Sequence, residues 1–333
     1  MFEASQSARS MRIVMDTVIP IADLHPIYSV AEVDRALEDG TAQRNEGLRS
    51  WYDRMRDLGG SRYIVKPSTA AAVDDLYDAS PNFAEVVDDL RKFLALAVAG
   101  REAVQFTPML LLGEPGLGKT YFAKRLAQSL ATGFEFVSMS SLTAGWVLTG
   151  ASAQWHNARP GKIAQTLIEG DYANPVVVLD EVDKAGGDSR YDPMGALYGL
   201  LERDTAVHFK DEFIDVGIDA SHILWIATAN DENAIPEPIL NRMNVYAIER
   251  PDAEGSRRIA LAVYREILDA HRWPFPPEPS ADVLERLATI PPRDMRKLLL
   301  DAFGTAQLAG RDRLLPSDID SRKLCGRRIR PGF

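Results

Sequence analysis

The chain has 333 residues, 46 % of them apolar and 26 % charged, with a formal net charge of −10 and one cysteine, Cys325. Such a length and apolar share allow one large or two ordinary domains with a real core, and the acid excess argues against nucleic-acid binding by the whole surface while leaving a local basic channel open. One cysteine excludes an internal disulfide and a cysteine-based zinc site and points to a reducing, cytoplasmic compartment; no stretch has the ~18 apolar residues of a membrane helix, and the early acid in "MFEASQSARSMRIVMD" is unlike a secretory signal.

There is no internal repeat. Residues 1–72 make an N-terminal region that reads as partly helical. "SVAEVDRALEDG" has helical spacing and ends on Gly40, and "EGLRSWYDRMRDLGG" predicts a second helix stopped by Gly59 and Gly60. These helices could form a small domain, an arm packing on a partner, or padding for the core of the neighbouring region. Residues 73–250 alternate. "SPNFAEVVDDLRKFLALAVAG" is helical, and "PMLLLG", "FEFVSM", "PVVVLD" and "HILWIATAN" are short strands, the first of them all apolar as in a buried parallel sheet. "GKIAQTLIEGDY" and "DPMGALYGLLERD" predict helices between them. Strand and helix in alternation mean an α/β fold with a mostly parallel sheet. Residues 251–316 keep only helical periodicity, interrupted by the loop "WPFPPEP", and predict a small α-helical domain. Residues 317–333 form a basic tail whose last part, "SRKLCGRRIRPGF", holds five Arg or Lys; it reads either as a docking tail for an acidic partner or nucleic acid, or as a solvated terminus.

Gly113, Glu114, Pro115, Gly116, Leu117, Gly118, Lys119 and Thr120 spell G-x-x-x-x-G-K-T between a predicted strand and a predicted helix. Glycines let successive backbone N–H groups turn inward on a phosphate chain, and the helix adds its positive end. Lys119 can reach the β- and γ-phosphates of ATP, and the Thr120 hydroxyl can sit on Mg²⁺. "VVVLDEVDK" delivers two acids to a strand end, Asp180 to hold Mg²⁺ through water and Glu181 to polarise the attacking water. Asn230 ends the strand "HILWIATAN", where its amide can orient that water. A splitting triphosphate also needs fixed positive charge. Arg242 in "PEPILNRM" can reach a neighbouring subunit's nucleotide, and Arg296 in "PPRDMRKLLL" its own, with Arg293 one turn away as the rival; taken singly each arginine reads as a surface ion-pair residue, and the spacing to the other elements reverses that for Arg242 and Arg296.

On these motifs the chain resembles the AAA+ ATPases, and within them the ATPase module of Lon-type proteins, over roughly residues 73–315. The resemblance implies a P-loop parallel-sheet domain with a helical lid. It places the acid pair, sensor asparagine, trans-acting arginine finger and lid arginine on Asp180 with Glu181, Asn230, Arg242 and Arg296. It also implies a homo-oligomeric ring, usually of six subunits, that works on a threaded protein. In "GASAQWHNARPGKIAQTL" the family's aromatic-plus-apolar gripping pair falls on Trp155 and His156, with His156 departing from the apolar residue expected. Trp155 in a loop of small and polar residues is expected to be exposed, against the ordinary alternative of a buried tryptophan. The chain stops at Phe333 with no room for the family's Ser/Lys peptidase, so a motor without its own protease is expected. A nucleic-acid motor or loader, or an ATP-controlled assembly switch for a partner effector, are the competing functions.

Overall fold

The structure is a computed structural model that describes residues 21–142, 144–155, 157–185 and 193–320. His156, Cys325, the residues 186–192 and the tail beyond residue 320 lie outside the described residues.

Ile21–Pro26 (β1) and Ser61–Lys66 (β2) pair antiparallel, with Leu24 opposite Tyr63. Between them run Val30–Glu38 (α1), Gly40–Arg44 (α2) and Glu46–Leu58 (α3). Asn45 caps α3 by accepting the Leu48 N–H at 3.1 Å, and Gly59 ends it at φ 71°, a conformation glycine adopts without steric cost. Gly40 does not stop the first helix as expected; it opens α2. The hairpin was not expected either, because its strands are short and separated by three helices.

Packing decides among the three readings of this region. Ile27, Val33, Leu48, Tyr52 and Met55 are buried in one cluster with Leu167, Phe213 and Trp225. The Tyr52 hydroxyl donates to the Ile214 carbonyl at 2.6 Å, and buried Arg62 donates to the Leu167 carbonyl at 3.0 Å and to the Ile168 carbonyl. The N-terminal helices therefore complete one face of the α/β core.

That core comes after Leu76–Ala79 (α4) and Ala84–Gly100 (α5). Its elements are Met109–Leu112 (β3), Lys119–Ser129 (α6), Phe134–Ser138 (β4), Trp146–Thr149 (α7), Lys162–Glu169 (α8) and Val176–Asp180 (β5). Leu197–Leu200 (α9) and Arg203–Ala206 (α10) replace the single helix expected there. Phe209–Lys210 (β6) and Gly217–Ile218 (β7) make a small ribbon before Leu224–Ala229 (β8), Glu237–Leu240 (α11) and Asn244–Ala247 (β9). The main sheet has five strands in the order β4-β5-β8-β3-β9, all parallel. Every residue of β8 is buried, which is why this strand reads as a continuous apolar run. Its side chains still alternate: Trp225, Ala227 and Ala229 face the N-terminal helices, while Leu224 and Ile226 face α5 and α6. Strand β9 escaped the sequence reading because it is four residues long and three of them are exposed.

The chain ends its described part in Ala253–His271 (α12), Ala281–Ala288 (α13) and Pro292–Leu308 (α14). These helices bury Tyr264, Leu287, Met295 and Phe303 in a cluster of their own. The Pro-rich loop contributes Trp273 and Phe275, whose rings lie 5.4 and 4.8 Å from that of Phe303.

Candidate functional site

Strand β3 runs into the glycine loop and α6 begins at Lys119. A Cβ on Gly113 would lie 2.4 Å from the Ile248 carbonyl oxygen, and Gly116 and Gly118 both have φ 91°, so each of these three positions needs glycine. Lys119 Nζ donates to the carbonyls of Gly113 and Glu114 at 2.5 and 3.1 Å and to Asn230 Oδ1 at 3.1 Å. Burial lowers its pKa, and the carboxylates of Asp183, Asp180 and Glu181 pull it back up.

The register of the sheet brings the other predicted residues to the same end. Strand β3 pairs with β8 and β8 with β5, so Asp180 and Asn230 both emerge at the carboxyl edge beside the loop. Asp180 Oδ1 accepts from Thr120 Oγ1 at 2.8 Å and from Thr228 Oγ1 at 2.9 Å. Glu181 has φ 57°; its N–H donates to Thr228 Oγ1 at 3.0 Å, and its carboxylate is bonded to Lys184. Lys184, and after it Ser140, hold the Glu181 carboxyl below the usual range. The Asn230 N–H donates to Asp183 Oδ2 at 3.1 Å.

These groups open into a cleft of about 470 Å³. Residues Pro115 to Thr120 line one side of it, and α12 and α14 the other through Val263, Glu266, Arg293 and Arg296. Arg296 donates to Glu266 Oε1 at 2.8 Å, and the Tyr121 hydroxyl donates to Glu266 Oε2 at 3.0 Å, so Glu266 joins the helical domain to α6. Burial, with Glu266 behind it, pushes Tyr121 up to about 12. The Cβ of Arg293 lies 3.8 Å from where Gly116 would carry one; both rival arginines thus reach the cleft. Gly113 and Glu114 turn their carbonyls to Lys119, and the Glu114 carboxylate leaves the cleft to pair with Arg250 at 2.6 Å.

The donor set fits a magnesium nucleotide. A hydroxyl and a carboxylate oxygen suit a hard cation, a lysine and a glycine turn suit phosphates, and Asp183 Oδ1 is buried without a hydrogen-bond partner. Sequence reasoning missed Thr228, Asp183, Tyr121 and Glu266. Thr228 alone left a signal, as a buried hydroxyl two residues before Asn230 on the same strand.

Residues 109–249 match the family described as ATPase family associated with various cellular activities, AAA. The chain carries an AAA ATPase domain. It is 35 % identical over 194 residues to Lon protease 1 of Thermus thermophilus and 34 % over 221 residues to Lon protease of Wolbachia pipientis, taking in 57 % and 66 % of this chain. The matches span only 23 % and 26 % of those relatives' own lengths. Among solved structures, the S. cerevisiae Hsp104:casein complex shares the fold at a TM-score of 0.56 and 17 % identity, over 71 % of this chain and 47 % of that one. No helix among the described residues is long and apolar enough to cross a membrane.

Two predicted residues stand apart from the cleft. Arg242 lies outside the cleft lining; it pairs with Glu202 at 2.6 Å, donates to the Pro238 carbonyl and rests 5.6 Å from the Tyr198 ring centre. Trp155 is 51 % exposed, with its ring edge-on to Trp146 at 5.6 Å. Its loop is tied at both ends. Asp211, fully buried, accepts from the Gly161, Phe213 and Ile214 N–H groups at 2.7, 2.9 and 3.1 Å. A Cβ on Gly150 would fall 2.3 Å from the Asp211 carboxylate, and one on Gly161 2.3 Å from the Leu148 carbonyl oxygen. Asn45, at the head of α3, donates to the Ala153 carbonyl at 2.8 Å. The N-terminal helices thus brace the loop that presents Trp155.

Proposed function

We propose that the AAA domain binds ATP with Mg²⁺, hydrolyses it at the junctions of a homo-oligomeric ring, six-membered in the first instance, and uses the cycle to unfold or translocate a protein chain. The observation that carries this reading is the convergence of Lys119, Thr120, Asp180 and Asn230 on a cleft whose far wall holds Arg293 and Arg296. Lys119 and the N–H groups of the glycine loop hold the phosphates; Thr120 and Asp180 hold the metal ion. When bound, Mg²⁺ neutralises phosphate charge. Glu181 accepts the proton of the attacking water, Asn230 orients that water, and Arg296 or Arg293 carries lid movement to the nucleotide. Arg242, outside its own cleft, serves the neighbour's phosphate in trans. Trp155 grips the moving chain by flat contact area, which needs no particular sequence.

Protein as substrate is favoured over nucleic acid by the Lon relatives and by the chain's acid excess. The test is steady-state ATP hydrolysis with and without an unfolded protein such as casein, and with single- and double-stranded DNA. Stimulation by casein alone is expected. Stimulation by DNA alone overturns the protein reading, and a Glu181→Gln variant that stays fully active in cells overturns the motor in favour of an ATP-controlled switch.

A further inference from the structure

The far end of β8 carries a second cluster that the ATPase reading does not use. His25 on β1 and Asp219 and His222, in the turn that leads into β8, each offer a metal-ligating atom, and those three atoms lie within 4.8 Å of one another. The His25 and His222 rings meet edge-on at 4.4 Å, and His25 Nε2 is 3.1 Å from Asp219 Oδ2. The other Asp219 oxygen is already engaged, accepting the Ser221 N–H at 2.9 Å. His25 comes from a strand 194 residues before Asp219.

The hydrogen bonds of the cluster leave one group over. His222 Nδ1 is buried and has no partner. A buried polar nitrogen without a partner costs free energy, so its neighbours ordinarily satisfy it. A cleft of about 250 Å³ lined by Gln105, Phe106, Arg203 and Ser221 opens on His222. Arg203 brings a positive charge to this side, and its guanidinium is bonded to Gln105.

The geometry points to a binding site for a divalent transition-metal ion, zinc in the first instance, held by His25, Asp219 and His222 with a water completing the set. Two imidazoles and one carboxylate are ligands zinc takes in tetrahedral sites, whose ligand atoms lie about 3.3 Å apart for metal bonds of about 2.0–2.1 Å. His25 Nε2 and Asp219 Oδ2, 3.1 Å apart, already stand near that spacing, and all three ligand atoms lie within 4.8 Å of one another. Magnesium and calcium prefer all-oxygen sets, so the site is chemically separate from the one at Thr120 and Asp180. It is separate in space too: β8 is six residues long, about 20 Å, and runs between them. The Asp219 N–H already donates to the Ile27 carbonyl at 2.7 Å, and the metal adds a second tie between the N-terminal hairpin and the sheet.

The test uses the full chain without an affinity tag, stripped with a chelator and dialysed against zinc chloride with nucleotide and magnesium left out. One zinc per wild-type chain is expected, with a rise in melting temperature on metal addition. The His25→Gln/His222→Gln double variant should take up none, and Cys325→Ser should keep it. His25→Gln alone, at a half-buried position on β1, should weaken binding at least about tenfold, and serves if the double variant does not fold. Cobalt added in place of zinc should give visible absorption in the wild type and none in the variants. No zinc in the wild type, or equal zinc in wild type and His25→Gln, overturns the site.

Discussion

The two ends of β8 hold polar groups in contrasting ways. At the carboxyl end Asn230 meets Lys119, Asp180 meets Thr120 and Thr228, and the residues come from segments that each announce themselves: a glycine loop, an acid pair, a strand ending in an amide. At the amino end Asp219 and His222 meet His25, and no segment of the chain advertises the meeting. The carboxyl end is built for a ligand whose phosphates demand contiguous backbone, so its chemistry is written in consecutive residues. The amino end joins side chains across the fold and leaves only an isolated histidine in each segment.

The hardest way to break the comparison is to remove the charge at the carboxyl end. Lys119→Ala should lose ATP binding by at least about 100-fold, since no other lysine among the described residues lines the cleft. Glu181→Gln should keep the nucleotide and lose turnover by about 10²–10⁴-fold, because an amide cannot take the proton. Calorimetry and a phosphate-release assay separate the two, and zinc uptake at the amino end should be unchanged in both. Unaltered turnover in Glu181→Gln would remove it as the base.

Arg242→Ala tests whether the cleft is complete within one chain. Nucleotide binding should persist while turnover falls by about 10³-fold or more. Mixing this variant with Lys119→Ala should restore part of the activity at hybrid junctions. Two co-assembled, inactive proteins that never complement would show that Arg242 does not act in trans.

Asp211 sharpens the contrast, because it joins a distant donor, Gly161, to two donors of its own turn, Phe213 and Ile214, and so serves the loop of Trp155. Asp211→Asn loses the acceptor for the Gly161 N–H and should cost about 1–3 kcal/mol, read as a lower melting temperature. Burial pushes Asp211 up to about 6 against three backbone donors that pull it down. The folded chain therefore keeps a proton the unfolded chain has released. The stability tied to this group is present in full below its unfolded pKa of 3.8 and is lost as pH rises through about 6. The stability difference between wild type and Asp211→Asn should shrink across that window, as denaturant titrations at successive pH values would show; a flat difference would mean the carboxyl is ionised throughout.

The smallest expected effect on the fold is that of Trp155→Ala. Half of this side chain is already in solvent, so melting should move by no more than about 2 °C and hydrolysis without protein by less than about twofold. Unfolding of a tagged protein substrate should be lost. A large fall in melting temperature would instead make the Trp146 contact the reason for the residue.

Several features were legible in the sequence because each rests on neighbours in the chain. The run Gly113 to Thr120 needs consecutive residues to wrap phosphates, and β5 up to Asp180 and β8 apart from Thr228 are apolar because both faces of a parallel sheet are covered. Periodicity also marked α3, α12 and α14, whose buried residues recur three and four apart. Arg296 and Arg293 were legible as candidates, and tertiary placement put both of them on the cleft.

What the tertiary structure alone decided has a common physical cause. The docking of α1 to α3 on the core, the Asp211 clasp between Gly150 and Gly161, the Glu266 link from the helical domain to Tyr121, and the histidine pair at the start of β8 all join residues tens to hundreds apart in sequence. Hydrophobic periodicity reports only which face of an element is buried, not what lies against it. The partner of a buried polar group is chosen by which segments the fold brings within about 3 Å, a distance that only the packed chain defines.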